Sequence, residues 1–175
     1  MKLAVVLATL LFSLVQTLPA TAADRVSSAA MVAAHNKVRA GLKLPPLRWS
    51  DPLAADAAKW ADELALNRGC NMQHAGVEDQ GENLFWASAL LWSDGRREVQ
   101  AVTPQKVVAA WASERRDYDY AKNSCRAGKA CGHYTQIVWK STTEVGCAMT
   151  VCPDQGQIWV CRYQPPGNWV GERPY

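Results

Sequence analysis

Two imidazoles and two carboxylates dominate a search of this 175-residue chain for chemistry: His74, His133, Glu82 and Glu114. Neutral imidazole and carboxylate are ordinary ligands of zinc and similar divalent cations, so the four together would make a metal site. Zn2+ held there would lower the pKa of a bound water to about 7, with Glu82 or Glu114 as general base. That is the chemistry of a metal-dependent hydrolase, protease-like or esterase-like. Nothing in the spacing brings the four side chains together, however. The remaining histidine, His35, falls on the apolar stripe of a helix and reads as a structural core residue. Signatures of other mechanisms are absent: no G-x-S-x-G, no H-E-x-x-H, no P-loop and no dinucleotide fingerprint.

Glu114 is the most informative of the four. It follows Val107 by seven positions, with Trp111 between them, and seven steps of about 100° return to nearly the same face of a helix. A carboxylate therefore points where the apolar stripe points. Buried there, it needs a cation, hydrogen bonds or a polar cavity. At a helix end it would instead reach water past Arg115 and Arg116.

The elements that must position these groups fall into two halves. Ser27 or Ser28 caps a first helix with the stripe Met31, His35, Val38, Leu42, which stops near Gly41 and the Pro45-Pro46 pair. Ser50-Asp51-Pro52 starts a second, with Leu53, Ala57, Trp60 and Leu64 at helical spacing as far as Gly69. Thr103-Pro104 opens a third, carrying Glu114. Residues 82–86 predict a short strand. Residues 133–139, 144–151 and 157–163 alternate and are rich in β-branched and aromatic side chains, which predicts three more. Helices first and strands last, without βαβ alternation, predict an α+β fold: a small antiparallel sheet covered by helices. By the same alternation Phe85 and Trp86 are expected in the sheet core.

Residues 1–22 carry the pattern of a signal peptide: Lys2, an apolar run, then Pro19 and the small-residue site Ala20-Thr21-Ala22. The run is too short for a membrane span, which needs about 20 apolar residues, and no other stretch approaches that length. Residues 23–175 are expected as one exported domain, periplasmic or extracellular, with no transmembrane segment. In an oxidising compartment the even set Cys70, Cys125, Cys131, Cys147, Cys152 and Cys161 reads as three disulfides, among 15 arithmetically allowed pairings. A net charge of +3 is too small to point to nucleic acid as partner.

Several motifs converge on one family. The run Gly132-His133-Tyr134-Thr135-Gln136-Ile137-Val138-Trp139 resembles the signature of the CAP superfamily (SCP domain), the cysteine-rich secretory and pathogenesis-related protein 1 group. The segment from Cys161 to Asn168 resembles its second signature. His35-Asn36-x-x-Arg39, Gly81-Glu82-Asn83-Leu84 and Trp111-x-x-Glu114 are similar as well, and the six cysteines with the Pro-Tyr ending are nearest the plant branch. The resemblance implies an α-β-α sandwich and a cavity tetrad of His74, Glu82, Glu114 and His133 that binds divalent metal in some relatives. It implies the bridges Cys70–Cys147, Cys125–Cys131 and Cys152–Cys161. Two departures stand out: a longer stretch over residues 87–97, and Arg162 where the second signature usually has Asn.

Functionally, the resemblance implies a secreted, non-catalytic, monomeric binding protein with a defence or host-interaction role, taking a sterol or fatty acid and a divalent cation such as Zn2+. Leu90, Leu91 and Trp92 offer apolar surface for the lipid near the cleft. The alternatives are the hydrolase described above and a precursor role, since residues 165–175 resemble the peptide that plant members release from the C-terminus.

Overall fold

The computed structural model describes residues 26–175; the expected signal peptide lies outside the described residues. Helix α1 (Ser28–Ala40) starts where the Ser27 hydroxyl accepts the Ala30 amide, satisfying one of the free N–H groups of a helix start. Its inner face buries Met31, His35 and Arg39. Strand β1 (Arg48–Trp49) leads directly into α2 (Asp51–Asn67), whose buried side carries Leu53, Ala57, Ala61 and Leu64. Strand β2 (Gly81–Ala87) follows, then a small hairpin of β3 (Leu90–Leu91) and β4 (Arg97–Glu98) built from the longer stretch. Helix α3 (Pro104–Ala112), capped by Thr103, continues as a 3-10 turn over Ser113–Asp117. Beyond the short pair β5 (Tyr118–Asp119) and β6 (Ser124–Cys125) come α4 (Gly132–Ile137), β7 (Glu144–Val151) and β8 (Gln157–Gln164).

The central sheet has the order β1-β7-β8-β2, antiparallel except for the two-residue edge β1, which runs parallel to β7. Both faces are covered, so the layers are helix, sheet, helix. Ile158 and Val160 of β8 join Leu84 and Ala148 against α2, while Trp159, Cys161 and Tyr163 pack with residues of α1, α3 and α4. Side chains alternate across a strand, and that alternation sorts one strand into two cores. Glycine at 146 is required by this packing. A Cβ there would overlap the backbone of Ser50, Leu53 and Ala54.

Three expectations are corrected. Residues 133–139 do not form a strand; α4 occupies Gly132–Ile137. The Glu114 carboxylate accepts the backbone amides of His133 and Tyr134 at 3.0 and 3.2 Å, supplying partners for the first turn of a helix. Thr135 and Gln136 are buried together with Tyr134, Ile137, Val138 and Trp139, so the polar residues mark no exposed face and the helical period stays hidden. The bridges are Cys70–Cys152, Cys125–Cys131 and Cys147–Cys161, so two of the three expected pairings are exchanged. Cys147 and Cys161 stand directly opposite each other on β7 and β8, with Cα atoms 4.1 Å apart, and bond to each other. The turn after α2 then delivers Cys70 to Cys152 at the end of β7. Finally, Trp86 is not core: it is 42% exposed, while Phe85 packs partly buried on the α1 side.

Candidate functional site

The four sequence-predicted side chains fold into two imidazole–carboxylate pairs. His133 heads α4, and its Nδ1 lies 2.7 Å from Glu114 Oε1. Its ring stacks on Trp111 with centroids 6.1 Å apart, and the Trp111 indole donates to the Leu84 carbonyl, which pins the stack to β2. Glu114 sits in the 3-10 turn just past α3. Burial pushes its pKa up, but the His133 hydrogen bond and charge, with the Tyr134 and His133 amides, outweigh that and hold it below the ordinary value. The inward carboxylate is thus satisfied as a helix cap and ring anchor.

His74, in the loop before β2, places Nδ1 2.6 Å from Glu82 Oε1, which also accepts the Ala75 amide at 3.2 Å. The Glu82 bond raises the His74 pKa against desolvation. Glu82 has a further partner: Arg162 Nη2 lies 3.0 Å from its Oε2, and the two side chains are only 3% and 7% exposed. Ionised carboxylates accept only. Each histidine therefore donates through Nδ1, and in its neutral form carries a lone pair on Nε2.

His74, Glu82 and His133, with Asn83, Gly132 and Asn168, line a cavity of about 240 Å3. Glu114 stands behind His133 and does not line it. Among the described residues no group of three or more His, Cys, Asp or Glu is arranged around one metal position. Imidazole nitrogen and carboxylate oxygen, the donor types facing the cavity, are ones that divalent cations take; Glu82 lines it beside the two histidines, while Glu114 orients the His133 ring from behind. Glu114 is tied to His133 and two amides, and Glu82 to His74, the Ala75 amide and, by charge, Arg162.

Sequence reading missed two polar residues of the cleft. Asn83 donates to the His133 carbonyl and to the Tyr163 hydroxyl, both at 3.1 Å. Asn168, from the C-terminal segment, accepts from Thr135 and donates to the Gly132 carbonyl. Their motifs were visible, but only the fold shows that they face the cleft. Behind them His35 donates through Nδ1 to the Met31 carbonyl at 2.8 Å and accepts from Tyr163 through Nε2 at 2.9 Å. It is the structural core residue expected.

Leu90, Leu91 and Trp92 lie elsewhere. They are exposed on the β3–β4 hairpin, Leu91 to 66%, and none lines the cleft. A different apolar concavity lies between α1 and α3. It measures about 570 Å3 and is lined by Ala34, Val38, Val108, Ala109, Ala112 and Tyr134, with Lys37 and Arg115 also contributing.

Residues 32–163 match the cysteine-rich secretory protein family, CAP. The chain belongs to the CAP family. This CAP protein is 43% identical over 142 residues to pathogenesis-related protein PR-1 of Medicago truncatula, covering 81% of this chain and 75% of that one. It is 40% identical over 142 residues to pathogenesis-related protein 1C of Nicotiana tabacum, covering 81% and 77%. Among solved structures it is similar to venom allergen-like protein 4 of Schistosoma mansoni, with a TM-score of 0.63, 26% identity and coverage of 85% and 92%. It also shares its fold with the structure of NaASP2 with Zn2+, with a TM-score of 0.67, 21% identity and coverage of 91% and 90%. Three disulfides in a CAP protein are consistent with an extracellular location. Among the described residues no helix is long and apolar enough to cross a membrane.

Proposed function

We propose that this CAP protein is exported through a signal peptide over residues 1–22 and acts in defence or host interaction as a non-catalytic monomer that binds an amphipathic lipid. The observation that carries the lipid reading is the α1–α3 groove. Its roughly 570 Å3 and its aliphatic lining suit an acyl chain. Exposed Lys37 and Arg115 supply cations for a carboxylate head, which favours a fatty acid over a sterol. The withdrawal of Glu114 behind His133 and the charge pairing of Glu82 with Arg162 support a binding role over a hydrolytic one.

Labelled fatty acid should bind saturably to the purified protein, and V38W, which fills the groove, should abolish it. No binding at micromolar protein overturns the reading. The hairpin residues Leu90, Leu91 and Trp92 are the second candidate contact. Loss of binding in L91D with V38W unaffected would move the ligand there. Labelled cholesterol in the same assay separates the two ligand classes.

We also propose that the His74–His133 cleft takes a divalent cation such as Zn2+ weakly. The two free Nε2 atoms support this, and the structurally similar NaASP2 was solved with Zn2+. When bound, the ion would supply a positive charge beside Asn83 and Asn168. Calorimetric titration with zinc tests it, and H133A should remove the binding.

A further inference from the structure

We infer that Arg162 sets how strongly the cleft holds a divalent cation, keeping that affinity low in this chain. The inference rests on the cation reading above and adds to it a residue that lies outside the cleft. Arg162 is the direct cross-strand neighbour of Glu82 on β8 and β2, and its other neighbour, on β7, is Gly146. At Gly146 the backbone of α2 packs directly on the sheet beside this row. The row faces α2, the side on which Leu84 and Val160 are buried.

The pair is close but poorly aligned. Nη2 and Oε2 are 3.0 Å apart, yet neither Glu82 Oε2 nor Arg162 Nε has an aligned hydrogen-bond partner among the described residues. What joins them is charge, in surroundings where water screens little. Burying a full cation in this way is costly unless it neutralises an anion, and Glu82 is that anion.

The consequence falls on His74. Its ring is oriented by the other oxygen of the same carboxylate. With Asn at position 162, as the family signature usually has, Glu82 would present an uncompensated negative charge behind the imidazole, and a cation on Nε2 would be drawn to it. With Arg162 paired to Oε2, the pull of Glu82 on a cation at His74 is reduced.

The test is zinc calorimetry on the mature secreted chain near neutral pH, with a charge cycle. R162Q should bind zinc about tenfold more tightly than the unaltered protein. R162K, which keeps the charge, should stay near the unaltered value, and R162Q/E82Q, which removes both charges, should return towards it. An R162Q affinity within twofold of the unaltered one, with its cooperative melting preserved, overturns the assignment and leaves the cation reading standing. If neither the unaltered protein nor R162Q binds zinc at millimolar concentration, the cation reading falls and takes this inference with it. Should R162Q not fold, E82Q decides: Arg162 left uncompensated should weaken binding about tenfold, and unchanged affinity overturns the inference.

Discussion

His35 shows how much stability one buried ring can tie to pH. It is fully enclosed, and desolvation is the main cause that lowers its pKa from 6.5 to about 4. The neutral form is therefore the folded form. Its stability contribution is complete above pH 6.5 and is lost as pH falls from 6.5 towards 4, as the unfolded chain takes up the proton first. The loss amounts to about 3 kcal/mol. Denaturant unfolding at pH 7 and pH 4 should show it, and H35Q should flatten the difference whatever its own stability. At the same scale Glu114 closes the first turn of α4 with two amides and one ring nitrogen. E114A should cost about 1–3 kcal/mol, read as a lower midpoint in urea. The sequence pattern marked Glu114 as an inward carboxylate in need of partners, and that was legible because a charge on an apolar stripe violates a simple period. Its role as a helix cap was not, because the helix it caps lies nineteen positions away in the chain.

Among the elements, the disulfides separate what spacing can say from what it cannot. Even number and compartment make three bridges legible; partner choice depends on strand register, which places Cys147 opposite Cys161. Non-reducing peptide mapping should therefore recover Cys70 linked to Cys152. Opening that bridge, which spans 82 residues, should cost about 4–5 kcal/mol, against about 2 kcal/mol for Cys125–Cys131, which spans 6. Thermal melts of the two double-serine variants provide the comparison. The strands β2, β7 and β8 were readable from β-branched and aromatic runs bounded by turns. Residues 133–139 misled for a physical reason: Thr135 and Gln136 are buried along with their apolar neighbours, so the polar residues of this short helix do not mark a solvent face from which a period of 3.6 could be read. Glu82 and Arg162 make the converse case. Each was visible as a residue, but only the pairing of β2 with β8 reveals that they face each other.

At the scale of the molecule, the C-terminal segment belongs to the domain. Gln136 accepts the Gly167 amide at 3.0 Å, Asn123 donates to the Glu172 carbonyl at 2.9 Å, and the Lys140 amide donates to the Pro174 carbonyl at 2.6 Å. The Tyr175 ring stacks on Tyr120, and its hydroxyl lies 3.1 Å from that of Tyr134. A cut between Gln164 and Pro165 should leave residues 165–175 in place. Native gel filtration should keep the fragment with the domain and denaturant should free it; spontaneous loss at neutral pH would contradict the hydrogen bonds just described. One of the residues that would leave is Asn168, which forms part of the cleft wall. A chain without that segment would carry a cleft of different outline, so the shape of the pocket is hostage to the integrity of the tail.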